Sequence, residues 1–117
     1  AATEEINTLI DDYTAAWNNY DGDAFLELVT DDFVLDADMG EVGPESQAGQ
    51  IDNLGVYAWQ VEVVGDIAMT GTGPWYVAIV NRQTGSSGTD DGFTILTVVD
   101  EDGTLRVAEH IWIGDRS

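Results

Sequence analysis

Few residues in this sequence can move a proton near neutral pH. His110 is its single histidine. An imidazole titrates close to neutrality and can act as general acid or base. An imidazole merely packed and hydrogen-bonded in a core does neither, and the sequence leaves both readings open. Alternation along residues 104–113 puts His110 on one strand face with Arg106, Ala108 and Trp112, and Leu105, Val107, Glu109, Ile111 and Ile113 on the other. Glu109 therefore points away and forms no dyad with it. Arg106 could neutralise an acidic ligand or pair with a local carboxylate. Trp17, Trp59, Trp75 and Trp112, with Met69, offer aromatic walls for a flat hydrophobic ligand. Core packing would account for each of them singly.

Other chemistries are excluded by composition. There is no cysteine, hence no disulfide, thiolate nucleophile or thiolate metal site. No HxxxH pair or calcium-binding loop occurs. Asp100-Glu101-Asp102-Gly103 is too short for that loop and reads as a hairpin turn. Neither a metal nor a cofactor is expected.

The charge count is lopsided, with 23 Asp plus Glu against three Arg (Arg82, Arg106, Arg116), no Lys, and a formal net charge of −20. The carboxylates run along the whole chain rather than in a tail, which implies a globally acidic surface. Like charges on a compact body oppose folding. The repulsion reaches roughly 30 Å in dilute salt but only about 3 Å at molar salt. The expected setting is therefore the cytoplasm of a high-salt organism, with an ordinary or deliberately supercharged acidic protein as the alternative. Without a basic stripe, nucleic acid is not an expected partner. No apolar run approaches ~18 residues, so no membrane span is expected, and no signal-peptide pattern is visible.

The elements that must position these residues follow from periodicity. Ile6, Leu9, Ile10, Tyr13, Trp17 and Tyr20 recur at helical spacing, predicting a helix over 3–20 with Asn18 on its wet side. Asp21-Gly22-Asp23 breaks it. A short helix with Phe25, Leu28 and Val29 follows, then a strand over 33–36. Pro44 can open a third helix, which Gly49 weakens by about 1 kcal/mol relative to Ala. Period-two patterning then predicts strands over 56–64, 67–80, 92–99 and 104–113. Gly65-Asp66 reads as a hairpin turn, Gly71, Gly73 and Pro74 as a bend, and 81–91 as a long polar loop. Strands 75–80 and 93–99 are apolar on both faces. A sheet covered by helices on one side would leave the other side apolar and open. A homodimer joined through the sheets is expected.

The order of elements resembles the nuclear transport factor two-like superfamily, in its SnoaL-like polyketide cyclase and ketosteroid isomerase branch. Tyr13-Thr14-Ala15-Ala16-Trp17-Asn18, Asp21-Gly22-Asp23, Phe25, Leu28, Asp31-Asp32-Phe33, Val63 to Ala68, and Asp102 to Val107 with His110 carry the resemblance, which covers essentially the whole chain. It implies one domain over 1–117, an α+β cone-shaped barrel with N-terminal helices packed on a curved, mostly antiparallel sheet, and a pocket within the cone. It also implies that the His110 face lines that cone. Tyr13 falls where ketosteroid isomerases carry an oxyanion-hole tyrosine. Their base carboxylate falls near Ala37, flanked by Asp36 and Asp38, and their second acid falls at Ile95. Only the first of these matches.

Two functions are expected from this. One is a pocket protein for a small hydrophobic, oxygenated ligand, as an enzyme running cofactor-free isomerisation, dehydration, cyclisation or hydrolysis. His110, Asp36 or Asp38, and Tyr13 would be its catalytic groups; Trp17, Trp59, Met69, Trp75, Arg106 and Trp112 would line the ligand. The other is a non-catalytic binding or dimerisation module on the same fold.

Overall fold

The computed structural model describes residues 2–37, 40–86 and 88–114. Helix α1 spans Ala2–Asn18, with Glu4 and Glu5 in its first turn, where the positive end of the helix dipole favours carboxylates. Its buried residues, Ile6, Leu9, Ile10, Tyr13, Ala16 and Trp17, form one apolar stripe at three- and four-residue spacing. Tyr20 lies beyond the helix in a left-handed conformation, φ 56°, and turns the chain. Asn18 is not on a wet face. Its side chain donates to the Val61 carbonyl at 2.8 Å and accepts from the Val61 N–H at 2.7 Å, tying the end of α1 to a sheet strand.

The Asp21 side chain caps α2, Gly22–Glu27, by accepting from the Ala24 N–H at 3.1 Å. Gly22 is where α2 meets α3, Pro44–Asn53. Its N–H donates to Asp52 Oδ1 at 2.8 Å. A methyl group there would run into the Ala48 carbonyl and sit 2.7 Å from the Asp52 oxygen. A 3₁₀ turn over Leu54–Tyr57 follows α3.

The strands are β1 Val29–Ala37, β2 Gly40–Val42, β3 Gln60–Val63, β4 Ala68–Gly71, β5 Trp75–Gly85, β6 Gly88–Glu101 and β7 Thr104–Gly114. They form one curved sheet in the order β2-β1-β7-β6-β5-β3, with β4 also on β5. Only the β1–β7 pairing is parallel among them. The helices cover the inner face, as expected for the α+β cone. Phe25, Phe33, Ile6, Ile51, Leu96, Val77, Val98 and Val107 fill the space between, each such side chain contributing about 1.5–3 kcal/mol of burial.

Three strand expectations are corrected. Residues 56–64 are not one strand, because Leu54–Tyr57 is a 3₁₀ turn and Ala58 is left-handed at φ 51°. Residues 67–80 are two strands. The Gly71 to Pro74 segment reverses the chain instead of bending it, so β4 pairs back on β5, Gly71 opposite Trp75. Gly65-Asp66 is then no hairpin turn, since β3 and β4 both pair with β5 and lie at opposite ends of it. The 81–91 loop is a β-hairpin, with β5 and β6 paired from Asn81↔Gly92 to Gly85↔Gly88. Its polar side chains conceal the pairing from any pattern based on hydrophobicity.

The Gly22 packing carries a prediction. Gly22→Ala should destabilise the fold by about 1–3 kcal/mol, the usual range for overpacking. Gly49→Ala, at an open position in the same helix pair, should stabilise it by up to about 1 kcal/mol. Denaturant unfolding in molar salt reads both; equal effects would contradict the contact.

Candidate functional site

β7 does not keep a simple alternation. Thr97 pairs with Glu109 but Val98 pairs with Val107, so Ala108 is an extra residue, a β-bulge. The bulge shifts the phase of the strand by one. Val107 and His110 both face the helices, as do Leu96 and Thr94 opposite His110 and Trp112. Arg106 is thereby placed on the outer face. It donates to the Glu27 carbonyl and pairs with Glu101 at 3.2 Å, and it does not line the cavity beside His110.

His110 faces Tyr13 of α1. Tyr13 Oη lies 2.7 Å from His110 Nδ1, and both side chains are buried. Burial pushes the imidazole down to about 3, because charge is penalised away from water. Burial also raises the phenol, slightly opposed by the Trp17 indole N–H, which leans toward Tyr13 without completing a hydrogen bond. Both groups are neutral at pH 7. The phenol then donates to Nδ1, since a buried O–H without an acceptor would be costly, and the His110 proton sits on Nε2.

Around this pair lies a cavity of about 30 Å³, roughly the room of one or two waters. Ile10, Thr14, Trp17, Trp59, Ile79 and Leu96 form its apolar and aromatic walls, and Asn81, Gln83 and Thr94 add polar groups beside Tyr13 and His110. Trp17 stacks at 5.4 Å from Trp59 and 5.6 Å from His110, ring centre to ring centre. Asn81 donates through Nδ2 to Thr94 Oγ1 at 2.9 Å. No Asp, Glu or Arg lines the cavity among the described residues.

The predicted site residues are thus divided. Tyr13, His110, Trp17 and Trp59 come together. Asp36 does not join them. It is exposed and pairs with Ile111 on the outer face, while Leu35 beside it takes the inward position next to His110. Asp38 lies outside the described residues. Met69 and Trp75 face inward but at the opposite end of β5, packed on the core. Trp112 faces inward yet lies against Gly92 and Gly114, where a Gly92 methyl would sit 2.7 Å from its ring. Ile95, at the position of the second acid in the isomerases, points outward with Ile111.

Sequence reasoning missed Asn81, Gln83 and Thr94. The inward phase of Val77 and Ile79 runs straight on through Asn81 and Gln83, and that continuation was the available signal.

No family model matches the chain, and no curated protein does. Solved structures do. A protein of unknown function with a cystatin-like fold from Nostoc punctiforme has a TM-score of 0.83 at 15% identity, over 98% of this chain and 92% of its own. A nuclear transport factor two-like protein of unknown function from Shewanella oneidensis has a TM-score of 0.77 at 16% identity, over 96% and 98%. A protein provisionally assigned as a scytalone dehydratase, from Novosphingobium aromaticivorans, has a TM-score of 0.79 at 12% identity, over 98% and 85%. The chain has the nuclear transport factor two-like fold. That fold hosts many activities, so the function has to be argued from the site.

The buried imidazole makes stability depend on pH. The unfolded histidine takes up a proton near pH 6.5, the folded one only near 3. Between those values the unfolded state binds more protons, so His110 alone costs stability as pH falls, on the order of 1 kcal/mol per pH unit, with no loss above the window and no further loss below it. His110→Gln should flatten the wild-type slope between pH 6.5 and 3 in denaturant unfolding. Parallel slopes would mean that the imidazole charges without opening the core.

Proposed function

We propose that this protein binds a compact, uncharged hydrophobic ligand in the cone, next to the Tyr13–His110 pair. One observation carries the reading: two hydrogen-bonded neutral groups meet at the wall of an aromatic cavity that holds no charge. A binding role fits better than acid–base turnover. A histidine pushed down to about 3 is a weak base at pH 7, and a useful catalytic group titrates near its working pH. Among the described residues the cavity also lacks the carboxylate that would complete a proton relay.

A ligand larger than water needs a wall to move, and the Trp59 side is the weakest. The turn before it carries exposed Val56 and Tyr57 and the left-handed Ala58. Cyclohexanol should raise the thermal midpoint of the wild type in molar salt, as any ligand of the native state does. Ile79→Trp, which fills the cavity, should remove that rise. A midpoint unmoved by cyclohexanol, cyclohexanone and methylcyclohexane alike would sink the pocket reading.

A second reading keeps an enzyme in view, because Tyr13, His110, Asn81 and Thr94 converge on one space and one structural neighbour is provisionally assigned as a dehydratase. In it, His110 would hold a ligand oxygen through its Nε2 proton and stabilise charge growing there. His110→Ala would then abolish a measurable turnover; under the binding reading there is no turnover to lose, and the substitution acts only on ligand affinity.

The setting and assembly belong to the same proposal. The described Asp and Glu residues are exposed, apart from half-buried Glu109, which supports a chain adapted to molar salt. We propose that the partner on the outer sheet face is a second copy. Tyr76, Phe93 and Ile113 are exposed there, beside Ala78, Val80 and Ile95. Arg82 and Arg106 lie on the same face, against Asp91, Glu62 and Glu101. In a molecule carrying −20, two copies repel least where carboxylates are already neutralised. Sedimentation in molar KCl should give a dimer, and Phe93→Glu a folded monomer. A wild-type monomer in molar salt, or full stability in dilute buffer, would overturn the respective half of this reading.

A further inference from the structure

Two residues that line the cavity each carry a buried polar atom with no completed hydrogen bond, although the Trp17 N–H leans toward Tyr13. Trp17 Nε1 and Asn81 Oδ1 are enclosed and without a hydrogen-bond partner among the described residues. Their residues are only 9% and 7% exposed. Buried polar groups are nearly always satisfied, and leaving one unmet costs about 1–3 kcal/mol. The pair is also complementary: the indole nitrogen can only donate, and the Asn81 oxygen can only accept. The Asn81 Nδ2 group is already engaged by Thr94. Both residues line the same space of about 30 Å³, small enough for one group to meet both.

We infer that the cavity selects an uncharged ligand bearing a hydroxyl group, which accepts from the Trp17 indole N–H and donates to the Asn81 carbonyl oxygen. This rests on the pocket reading above. A hydroxyl is the smallest organic group that does both at once. A ketone would meet the indole and leave the Asn81 oxygen bare; a hydrocarbon would leave both bare. A carboxylate fails twice, since no cationic side chain lines the cavity to receive it and the field of a chain at −20 repels it. An ammonium is drawn by that field but meets no carboxylate inside. Ile79, Leu96 and the two tryptophans then hold the apolar body. Sites that hydrogen-bond a ligand hydroxyl reject the analogue lacking it strongly, because their own groups are left unpaired.

Four six-membered-ring probes separate the possibilities: cyclohexanol, cyclohexanone, methylcyclohexane and cyclohexanecarboxylate, titrated calorimetrically into the wild type in molar KCl. Cyclohexanol should bind about tenfold or more tighter than the ketone or the hydrocarbon, and the carboxylate should not bind. Asn81→Leu should bring cyclohexanol and methylcyclohexane to parity. Trp17→Phe, which keeps a ring at the wall, should narrow the same gap if Asn81→Leu does not fold. Equal wild-type affinities for alcohol and hydrocarbon would overturn the hydroxyl inference and leave the pocket standing. Tighter binding of cyclohexanone would overturn it by showing that Asn81 presents its N–H₂ instead of its oxygen. Carboxylate binding at comparable strength would overturn the exclusion of charge. Absence of binding by all four would remove the pocket reading and this inference together.

Discussion

An imidazole shut away from water must be neutral and must be hydrogen-bonded, and that demand fixes the geometry of this molecule. His110 lies in the last strand and Tyr13 in the first helix, 97 positions apart. The bond between them sets the rotation of α1 about its own axis. With Tyr13 on His110, Trp17 falls one turn further along, against Trp59, and Ile10 one turn back, against the same cavity. On the sheet side, the bulge at Ala108 supplies the matching condition. Without that extra residue, and with Val107 kept inward, His110 would stand on the outer face with Ala108 and Trp112, and the cone would receive Glu109 with Ile111 and Ile113. A carboxylate there, against Tyr13 and Leu96, would have no counter-charge within reach. The bulge therefore decides both which group enters the cone and that the cone stays uncharged.

Charge is partitioned with the same consistency. Carboxylates occupy the solvent side of α1, α2, α3 and the hairpin turns, and none lines the cavity among the described residues. Arg82 and Arg106 both lie on the outer sheet face, each matched to acids across or beside its strand. Such exposed pairs contribute little to stability, of order 0–1 kcal/mol each. Their effect is on the field: they leave one face of the body less repulsive than the rest. The inner site, by contrast, works through shape and hydrogen bonds.

Helix α1 was legible in the sequence because one buried stripe at 3.6-residue period runs its whole length, and Tyr13 came with it. The order of elements followed from the patterning, and the cone was expected only from the resemblance to the nuclear transport factor two-like superfamily. What failed did so for identifiable reasons. Alternation counts residues, and one extra residue reverses every assignment beyond it; Arg106 was read as inward for that reason. Hydrophobicity marks strands only where a face is apolar, so the polar hairpin reads as a loop over 81–91 and hides Asn81 and Gln83, while Thr94, inside the expected strand 92–99, reads as an isolated polar residue. Asp36 failed differently. The pattern predicts its strand over 33–36 and puts Val29 in the preceding helix, whereas β1 begins at Val29; Leu35 and Ala37 hold the inward positions and Asp36 lies between them. The abundance of carboxylates made any one of them a plausible base, while the structure gives the cavity none.

The small cavity sharpens what affinity can mean here. A ring-sized ligand does not fit until a wall gives way, and the walls are unequally held. β5, β6 and β7 are locked by long ladders, and α1 is pinned by the Tyr13–His110 bond and by the two hydrogen bonds exchanged between Asn18 and Val61. Trp59 follows a short 3₁₀ turn in which Val56 is 81% and Tyr57 59% exposed, so its own contacts with the core and with Trp17 are what hold it in place. Its main-chain oxygen is held by Tyr20 at 2.9 Å, which leaves the side chain the freer part. On the proposed pocket reading, opening would consist chiefly of swinging one indole off another. The apparent affinity of any ligand is its intrinsic affinity reduced by the fraction of molecules already open. On the same proposed reading, strength of binding would be governed at Trp59 and the choice among ligands at Trp17 and Asn81, so the two properties could be altered independently.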